Sequence, residues 1–379
     1  MSHLMTRRAF LGRAAAVPVG IGMMRRGLRR KPLMFYAGTY TDNGSEGIYQ
    51  CVFDASSGAI EVLGATGGIE NPSYLALHPT RPLLFAVSET TEFGGAEGGG
   101  VYAYAIESED GALRELNAQP THGGAPCYVS TTRDGEYVLV ANYLGGNVAA
   151  FPVESDGRLA AASSIQQHEG SSVNARRQEA PHAHCIIPDP EGAHVLAVDL
   201  GIDQVVIYRL DGGKLTRVGA ADLHPGAGPR HVAFHPSGSM AFVINELDST
   251  ITSFRYAEGA MEPLETISTL PSDFEGTNIC ADIHVSADGR FVYGSNRGHN
   301  SIVVLAVAES GSLDVIQHIS TGGDWPRNFA LDPTGQFLLA ANQRSDNIVV
   351  FAIDLESGSL RETGSEISLP SPVCIRFRV

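Results

Sequence analysis

The chain has 379 residues, 43% of them apolar, which is enough to bury a large core. Its formal charge of −16 at pH 7 excludes the basic face that a nucleic-acid backbone requires, and no apolar stretch reaches the roughly 20 residues that cross a membrane as a helix. The five cysteines are odd in number and widely spaced, with four inside apolar stretches; this is the pattern of reduced core thiols and not of a disulfide framework.

Residues 1–32 read as a leader. Thr6-Arg7-Arg8-Ala9-Phe10-Leu11 fits a twin-arginine export signal, followed by apolar residues from Ala14 to Met24. Against export, that stretch is short, contains Pro18, runs into Arg25-Arg26 and Arg29-Arg30-Lys31, and lacks a small-residue cleavage site. Localisation therefore stays open between export and the cytoplasm. Residues 33–379 read as one domain.

Leu33–Tyr40, Gly47–Phe53 and Ile60–Thr66 predict three strands. From Asn71 onward the sequence repeats at a period of roughly 50 residues, with units beginning near Asn71, Ala125, Ala180, Gly228, Ile279 and Trp325. Each unit has a Pro-led apolar run, a Gly-containing turn, a second apolar run ending in Asn, Asp or Glu, a polar loop and a third β-run. YVSTTRDGEYVLVANYLGGNVAAF, from Tyr128 to Phe151, matches FALDPTGQFLLAANQRSDNIVVF, from Phe329 to Phe351, in turn, strand and loop. The abundant Gly and Pro fall at the ends of the runs, where turns need them. After the sixth unit only Pro370–Phe377 remains, enough for one innermost strand. Joined to the three N-terminal strands it completes a seventh blade and protects two edges. The expected fold is all-β: a seven-bladed β-propeller of four-stranded antiparallel blades, one of them closed by strands from both termini.

In a four-stranded blade, the loop entering the innermost strand and the loop joining the second and third strands lie at the same end, because antiparallel strands alternate in direction. That rule gathers Pro126-Cys127, Pro181-His182-Ala183-His184, Pro229-Arg230-His231, Asp282-Ile283-His284 and Pro326-Arg327-Asn328 at one tunnel mouth. Glu89, Asn142-Tyr143, Asp199, Asn245-Glu246, Asn296-Arg297 and Asn342 join them. Arginines and histidines cost desolvation to hold there, so this end reads as a site. Asn142 and Asn342 recur at strand ends and can bond loop backbone as well as a ligand. His78 and His235 precede Pro in turns and read as structural. Strict alternation sends one of Arg230 and His231 away from the tunnel, while His284 can face either way.

His182 and His184 share parity, and a His-x-His pair invites a metal, but Arg230 and Arg297 repel a cation. The same arginines suit an anionic or oxygen-rich small molecule, and a neutral His beside them can move a proton. Glu246 can orient the arginine pair. No cofactor is expected. The segment 166–179, polar and carrying Arg176 and Arg177, can serve as a lid over this end.

HEGSSVN at 168–174, the PHAH at 181–184, GAGPRH at 226–231, INELDST at 244–250, ADIHVSADGRFVYGSNRGH at 281–299 and STGGDWPRNFALDPTG at 320–335 together resemble the seven-bladed β-propeller lactonase family, across Leu33 to the C-terminus. That family includes one bacterial type of 6-phosphogluconolactonase and a fungal carboxymuconate cyclase. The resemblance implies a centre of His182, Arg230, Glu246 and Arg297; their place at the same mouth makes His184, Asn142, Arg327, Asn342 and His284 further candidates for contacting substrate. It implies hydrolysis of a sugar lactone, 6-phosphogluconolactone foremost. His182 would activate water, and the arginines would stabilise the oxyanion. Cyclisation of an unsaturated dicarboxylate would use the same residues, a non-catalytic binding platform would need none of them, and a calcium-dependent sugar lactonase would respond to a chelator.

Overall fold

A computed structural model describes residues 32–107 and 110–378. Residues 1–31, which hold almost all of the leader read from the sequence, lie outside the described residues. The described strands form seven four-stranded antiparallel sheets and one small hairpin, Glu92–Phe93 with Ala96–Glu97. No helix appears among the described residues, and none is long and apolar enough to cross a membrane.

Six blades follow one another along the chain, and their innermost strands are Leu75–Leu77, Pro126–Thr131, Ala183–Pro188, Pro229–Phe234, Ile279–Val285 and Pro326–Leu331. We number these blades 1 to 6. Blade 7 takes its innermost strand, Pro372–Phe377, from the C-terminus and its other three, Leu33–Thr39, Ile48–Asp54 and Ala59–Thr66, from the N-terminus. Second strands such as Leu83–Ser88 (LLFAVS) and Val195–Asp199 (VLAVD) are buried along their whole length, because blades pack against both of their faces. Outermost strands such as Leu360–Ser368 alternate half-buried with exposed residues beyond the buried Leu360 and face water.

The core lies in layers between blades and has no single centre. Phe242, Ile244 and Ile251 of blade 4 pack with Ile283, Val292 and Leu305 of blade 5, and equivalent layers fill the other junctions. At the junction that closes the ring, Phe53 of blade 7 meets Phe337 of blade 6 edge-on at 5.2 Å between ring centroids. Ile375 N–H donates to Asn328 Oδ1 in blade 6 at 2.7 Å, and Arg376 Nε donates to the Leu75 carbonyl in blade 1 at 3.0 Å. At the opposite end from the inner-strand starts, Gly135 holds φ +76°, and a Cβ there would sit 2.3 Å from the His78 ring. Glycine is required on both counts. His235 lies under Gly289 in the same way, so both turn histidines are packing groups.

The start of the inner strand positions the site. Pro126 pairs with Asn142 and Tyr128 with Ala141, leaving Cys127 unpaired in a β-bulge. The same slip leaves His184 unpaired in blade 3, Arg230 in blade 4, Arg327 in blade 6 and Val373 in blade 7, and it falls across Ala281-Asp282 in blade 5. A bulge adds one residue to the strand and re-aims its side chain, so alternation does not hold there.

If the closing seam is integral to the ring, Ile375→Ala, which removes a fully buried side chain from it, is expected to cost about 2–5 kcal/mol. Urea unfolding measures this; a loss below about 1 kcal/mol would show that the seam contributes little.

Candidate active site

The bulged ends of the inner strands surround a cavity of about 540 Å³, lined by Tyr40, Asp42, Glu89, Cys127, Tyr143, Arg177, His184, Glu246, Ile279, Arg297, Trp325, Arg327 and Gln343. The volume lies in the range of small-molecule sites. A much smaller recess, lined in part by Arg230, His231, Tyr74 and Val373, shares Glu89, Cys127 and Arg327 with it.

Glu246 is the hub. It follows the second strand of blade 4, and its N–H is held by the Gly228 carbonyl at 2.6 Å. Arg230 Nε and Arg297 Nη2 donate to Oε2 at 2.9 and 2.7 Å, while Arg177 Nη2 donates to Oε1 at 2.5 Å. Arg230 and Arg297 are also fixed by the carbonyls of Ala281 and Cys280, at 2.6 and 2.7 Å. Burial alone would raise the Glu246 pKa, but Arg297, Arg230 and Arg177 outweigh it and hold the carboxyl well below the usual carboxylate range. Burial pulls the Arg297 guanidinium down to about 9 against the Glu246 charge, so it remains a cation at neutral pH. Arg177 Nη2 also donates to the Tyr143 hydroxyl at 3.1 Å.

The buried imidazoles beside these cations are neutral. Burial, then Arg230, lowers His184 well below its ordinary value and His231 to about 3. Arg230 Nη1 donates to His231 Nε2 at 3.1 Å, which leaves His231 Nδ1–H to donate to Asp282 Oδ1 at 2.7 Å. Asp282 also accepts from His284 Nε2 at 3.0 Å and from Asn328 Nδ2. Burial pushes the Cys127 thiol far up, so it stays protonated 3.6 Å from His184 Nδ1. All five cysteines are buried and free. Among the described residues no group of three or more His, Cys, Asp or Glu side chains is arranged to hold a metal.

Of the residues singled out in the sequence, Glu246, Arg297, Arg327 and His184 line the cavity, and Arg230 lies beneath it. His182 does not line the cavity but packs directly on Tyr143, which does. Its ring stacks on Tyr143 at 4.5 Å between centroids, its Nδ1 lies 2.9 Å from the Tyr143 carbonyl, and its Nε2 lies 3.5 Å from Glu179 Oε1. Because a carbonyl only accepts, Nδ1 carries a proton, and in a neutral ring the lone pair is then on Nε2. Alternation had separated Arg230 from His231, but the bulge at Arg230 puts both on the tunnel side and lets them bond. The structure does not bring Asn142, Asn342 or His284 to the cavity wall. Asn142 and Asn342 turn their amides to the Thr121 and Thr321 carbonyls at 3.0 and 3.1 Å, and His284 is spent on Asp282.

Tyr143, sorted to the mouth by strand direction, and Arg177, carried by the candidate lid, both line the wall, while Tyr40 and Trp325 enter it without having been placed at the mouth from the sequence. Arg177 comes from the segment 166–179, which is tied down by Gln178: its Nε2 donates to the Leu200 carbonyl at 2.9 Å and to Asp203 Oδ1 at 2.7 Å. Trp325 holds φ +68°, rare for a bulky residue, immediately before the Pro-led strand of blade 6. Its place at the start of that unit was the available signal.

The lactonase seven-bladed β-propeller family model matches residues 34–377. A 6-phosphogluconolactonase of Bacillus subtilis is 41% identical over 346 residues, covering 90% of this chain and 97% of that protein. A 6-phosphogluconolactonase of Formosa agariphila is 33% identical, covering 88% and 96%. The solved structure of a periplasmic gluconolactonase from Pseudomonas aeruginosa superposes with a TM-score of 0.87 at 34% identity, over 92% of this chain and 99% of that one.

The neutral histidines set a pH dependence of stability. With the folded pKa of His231 depressed to about 3, the unfolded chain takes up a proton below about pH 6.5 that the fold refuses. Stability is therefore complete above pH 6.5 and is lost as pH falls toward 3, by up to about 1.4 kcal/mol per pH unit for each such proton. His184 acts in the same direction, and Glu246 adds to the loss below about pH 4.5. Thermal melts from pH 8 to 4 are expected to fall below pH 6.5, less steeply in His231→Gln; an equal slope in both would remove His231 from the account. Separately, Glu246→Ala leaves buried arginines unpaired and is expected to cost about 3–5 kcal/mol, measured by urea unfolding at pH 7.

Proposed function

The chain belongs to the seven-bladed β-propeller lactonase family, and from that premise we propose that it opens the ring of 6-phosphogluconolactone with water to give 6-phosphogluconate. The observation that carries this reading is a cavity with Arg177, Arg297 and Arg327 in its wall and a neutral His184 beside them. An ester carbonyl attacked by water places negative charge on its oxygen, and fixed guanidinium donors around a cavity are suited to receive it.

In the proposed reaction His182 Nε2 accepts a proton from water as the oxygen attacks the lactone carbonyl. What supports His182 is its tautomer: the Tyr143 carbonyl takes the Nδ1 proton and leaves the lone pair on Nε2. Arg297, fixed by Glu246 and the Cys280 carbonyl, stabilises the tetrahedral oxyanion, and Arg230 acts from below by holding Glu246 in place. Collapse breaks the carbonyl–ring oxygen bond. The ring alkoxide takes the proton back from His182, and the new carboxylic acid ionises to solvent. His184 lines the cavity but is a poor base, since burial and Arg230 keep its pKa so low.

A second reading has a specific observation behind it. The Pseudomonas protein of closely similar structure is named a periplasmic gluconolactonase, and Thr6-Arg7-Arg8 fits an export signal, so unphosphorylated gluconolactone is the alternative substrate. Acid release by the full chain at fixed pH, counted only above the buffer rate, compares the two lactones directly. A higher kcat/KM for the phosphorylated lactone is expected. His182→Ala is expected to lose about 10²–10⁴ in kcat, with or without chelator. Near-wild-type turnover in that variant would remove His182 as the base, and no excess over buffer with either lactone would overturn the hydrolytic reading.

A further inference from the structure

Three of the four arginines around the cavity are consumed by Glu246, and the fourth is not. Arg327 stands at the bulge of blade 6 with its guanidinium 5.4 Å from the centre of the Tyr40 ring. Among the described residues no carboxylate or carbonyl accepts a hydrogen bond from it, and it lines both the cavity and the recess below. Another inner-strand arginine, Arg376, shows what a structural role looks like here: its Nε and Nη1 are spent on the Leu75 and Ile375 carbonyls. A guanidinium offers five N–H donors in a planar fork, and withdrawing it from water without a partner is costly. Two more unpartnered polar atoms lie in the same wall: the buried Arg297 Nε of blade 5, a donor, and Gln343 Oε1 of blade 6, an acceptor.

We infer that Arg327 receives a phosphoryl group carried by the substrate at the end remote from its reacting carbonyl, and so sets the preference for a phosphorylated sugar lactone. The inference rests on the hydrolytic reading for the position of the carbonyl. His182, on blade 3, and Arg327, on blade 6, stand three blades apart in a ring of seven, nearly across the tunnel, so a lactone turned toward blade 3 points its far substituent at Arg327. The fork suits two phosphate oxygens at once. Glu89 leaves room for this, because its Oε2 is engaged by the Tyr40 hydroxyl at 2.9 Å. Asp42 and Glu89 remain anionic neighbours in that wall, which favours the sugar's hydroxyls between them and limits phosphate affinity to what the Arg327 fork supplies.

The test uses the full chain and two variants: Arg327→Met, which keeps length and loses charge, and Arg327→Lys, which keeps charge and loses the fork. Two ratios are measured: kcat/KM for 6-phosphogluconolactone over gluconolactone, and Kd by calorimetry for 6-phosphogluconate against gluconate. Both preferences are expected to fall roughly 10–100-fold in Arg327→Met and less in Arg327→Lys, with the kinetic loss mainly in KM. Ratios within twofold of wild type in folded variants of an active enzyme would overturn the role of Arg327 and leave hydrolysis standing. A wild type that hydrolyses neither lactone yet binds 6-phosphogluconate in an Arg327-dependent way would support this role and sink the hydrolytic reading. Should Arg327→Met fail to fold, Arg327→Lys carries the same ratios.

Discussion

One register slip, repeated around the ring, is the constraint on which the site depends. A regular antiparallel strand sends neighbouring residues to opposite faces, so an inner strand can offer the tunnel only every second side chain. The bulge at the start of the inner strand breaks that rule once in each of blades 2 to 7 and adds a side chain at the mouth. Cys127, His184, Arg230, Arg327 and Val373 occupy the same structural position in five blades, and the slip in blade 5 falls at Ala281-Asp282. Each stands on an inner strand whose paired neighbour is buried along almost its whole length, so the mouth is set on packed core. The chemistry is written in which residue stands at that position from blade to blade.

Electrostatics decides what such a ring can hold. In a protein of net charge −16, four arginines at one end need compensation, and Glu246 supplies it for three of them. The two oxygens are used unequally. Oε2 faces the buried pair, Arg230 and Arg297, while Oε1 faces the half-buried Arg177 that arrives from another blade. A single carboxylate thus fixes the geometry of cations contributed by three separate segments, and it stays ionised because those cations outweigh its desolvation.

The repeat made the fold legible, because turns, strand ends and the two-ended seventh blade all follow from a period and a leftover strand. The site was legible where it depended on which end of a blade a residue occupies: Arg230, Arg297, Glu246 and Arg327 were sorted correctly to the mouth by strand direction alone. Side-chain aim was not legible, because it depends on the bulge. Aligning Pro181-His182 with Pro126-Cys127 puts His182 at the bulge, but Ala183 is the residue that pairs like Pro126, so His184 takes the place of Cys127 and His182 stacks on Tyr143. For Arg177 the segment was legible as a candidate lid, but the bond to Glu246 was not. Arg177 lies 69 residues from Glu246 in sequence, in a loop with no repeat counterpart, and only the anchoring of Gln178 on Asp203 and Leu200 brings it there.

The neutrality of the histidines follows from the same arginines. An imidazole can take a proton from water only while it is uncharged, and an acidic protein surface would ordinarily favour its protonation. Burial against guanidinium groups reverses that tendency at His184 and His231, and carbonyl or carboxylate acceptors then select the tautomer: Asp282 for His231 and the Tyr143 carbonyl for His182. Asp282 is shared among His231, His284 and Asn328, so the tautomer of His231, and with it the hold on Arg230, is set from blades 5 and 6 while Arg230 itself acts on Glu246 in blade 4. The hydrogen-bond chain from Asp282 through His231 and Arg230 to Glu246 therefore couples the packing of successive blades to the orientation of the cations. Small errors in blade spacing would reach the cavity along that chain, and for this reason the closing seam and the site cannot be treated as independent parts of the molecule.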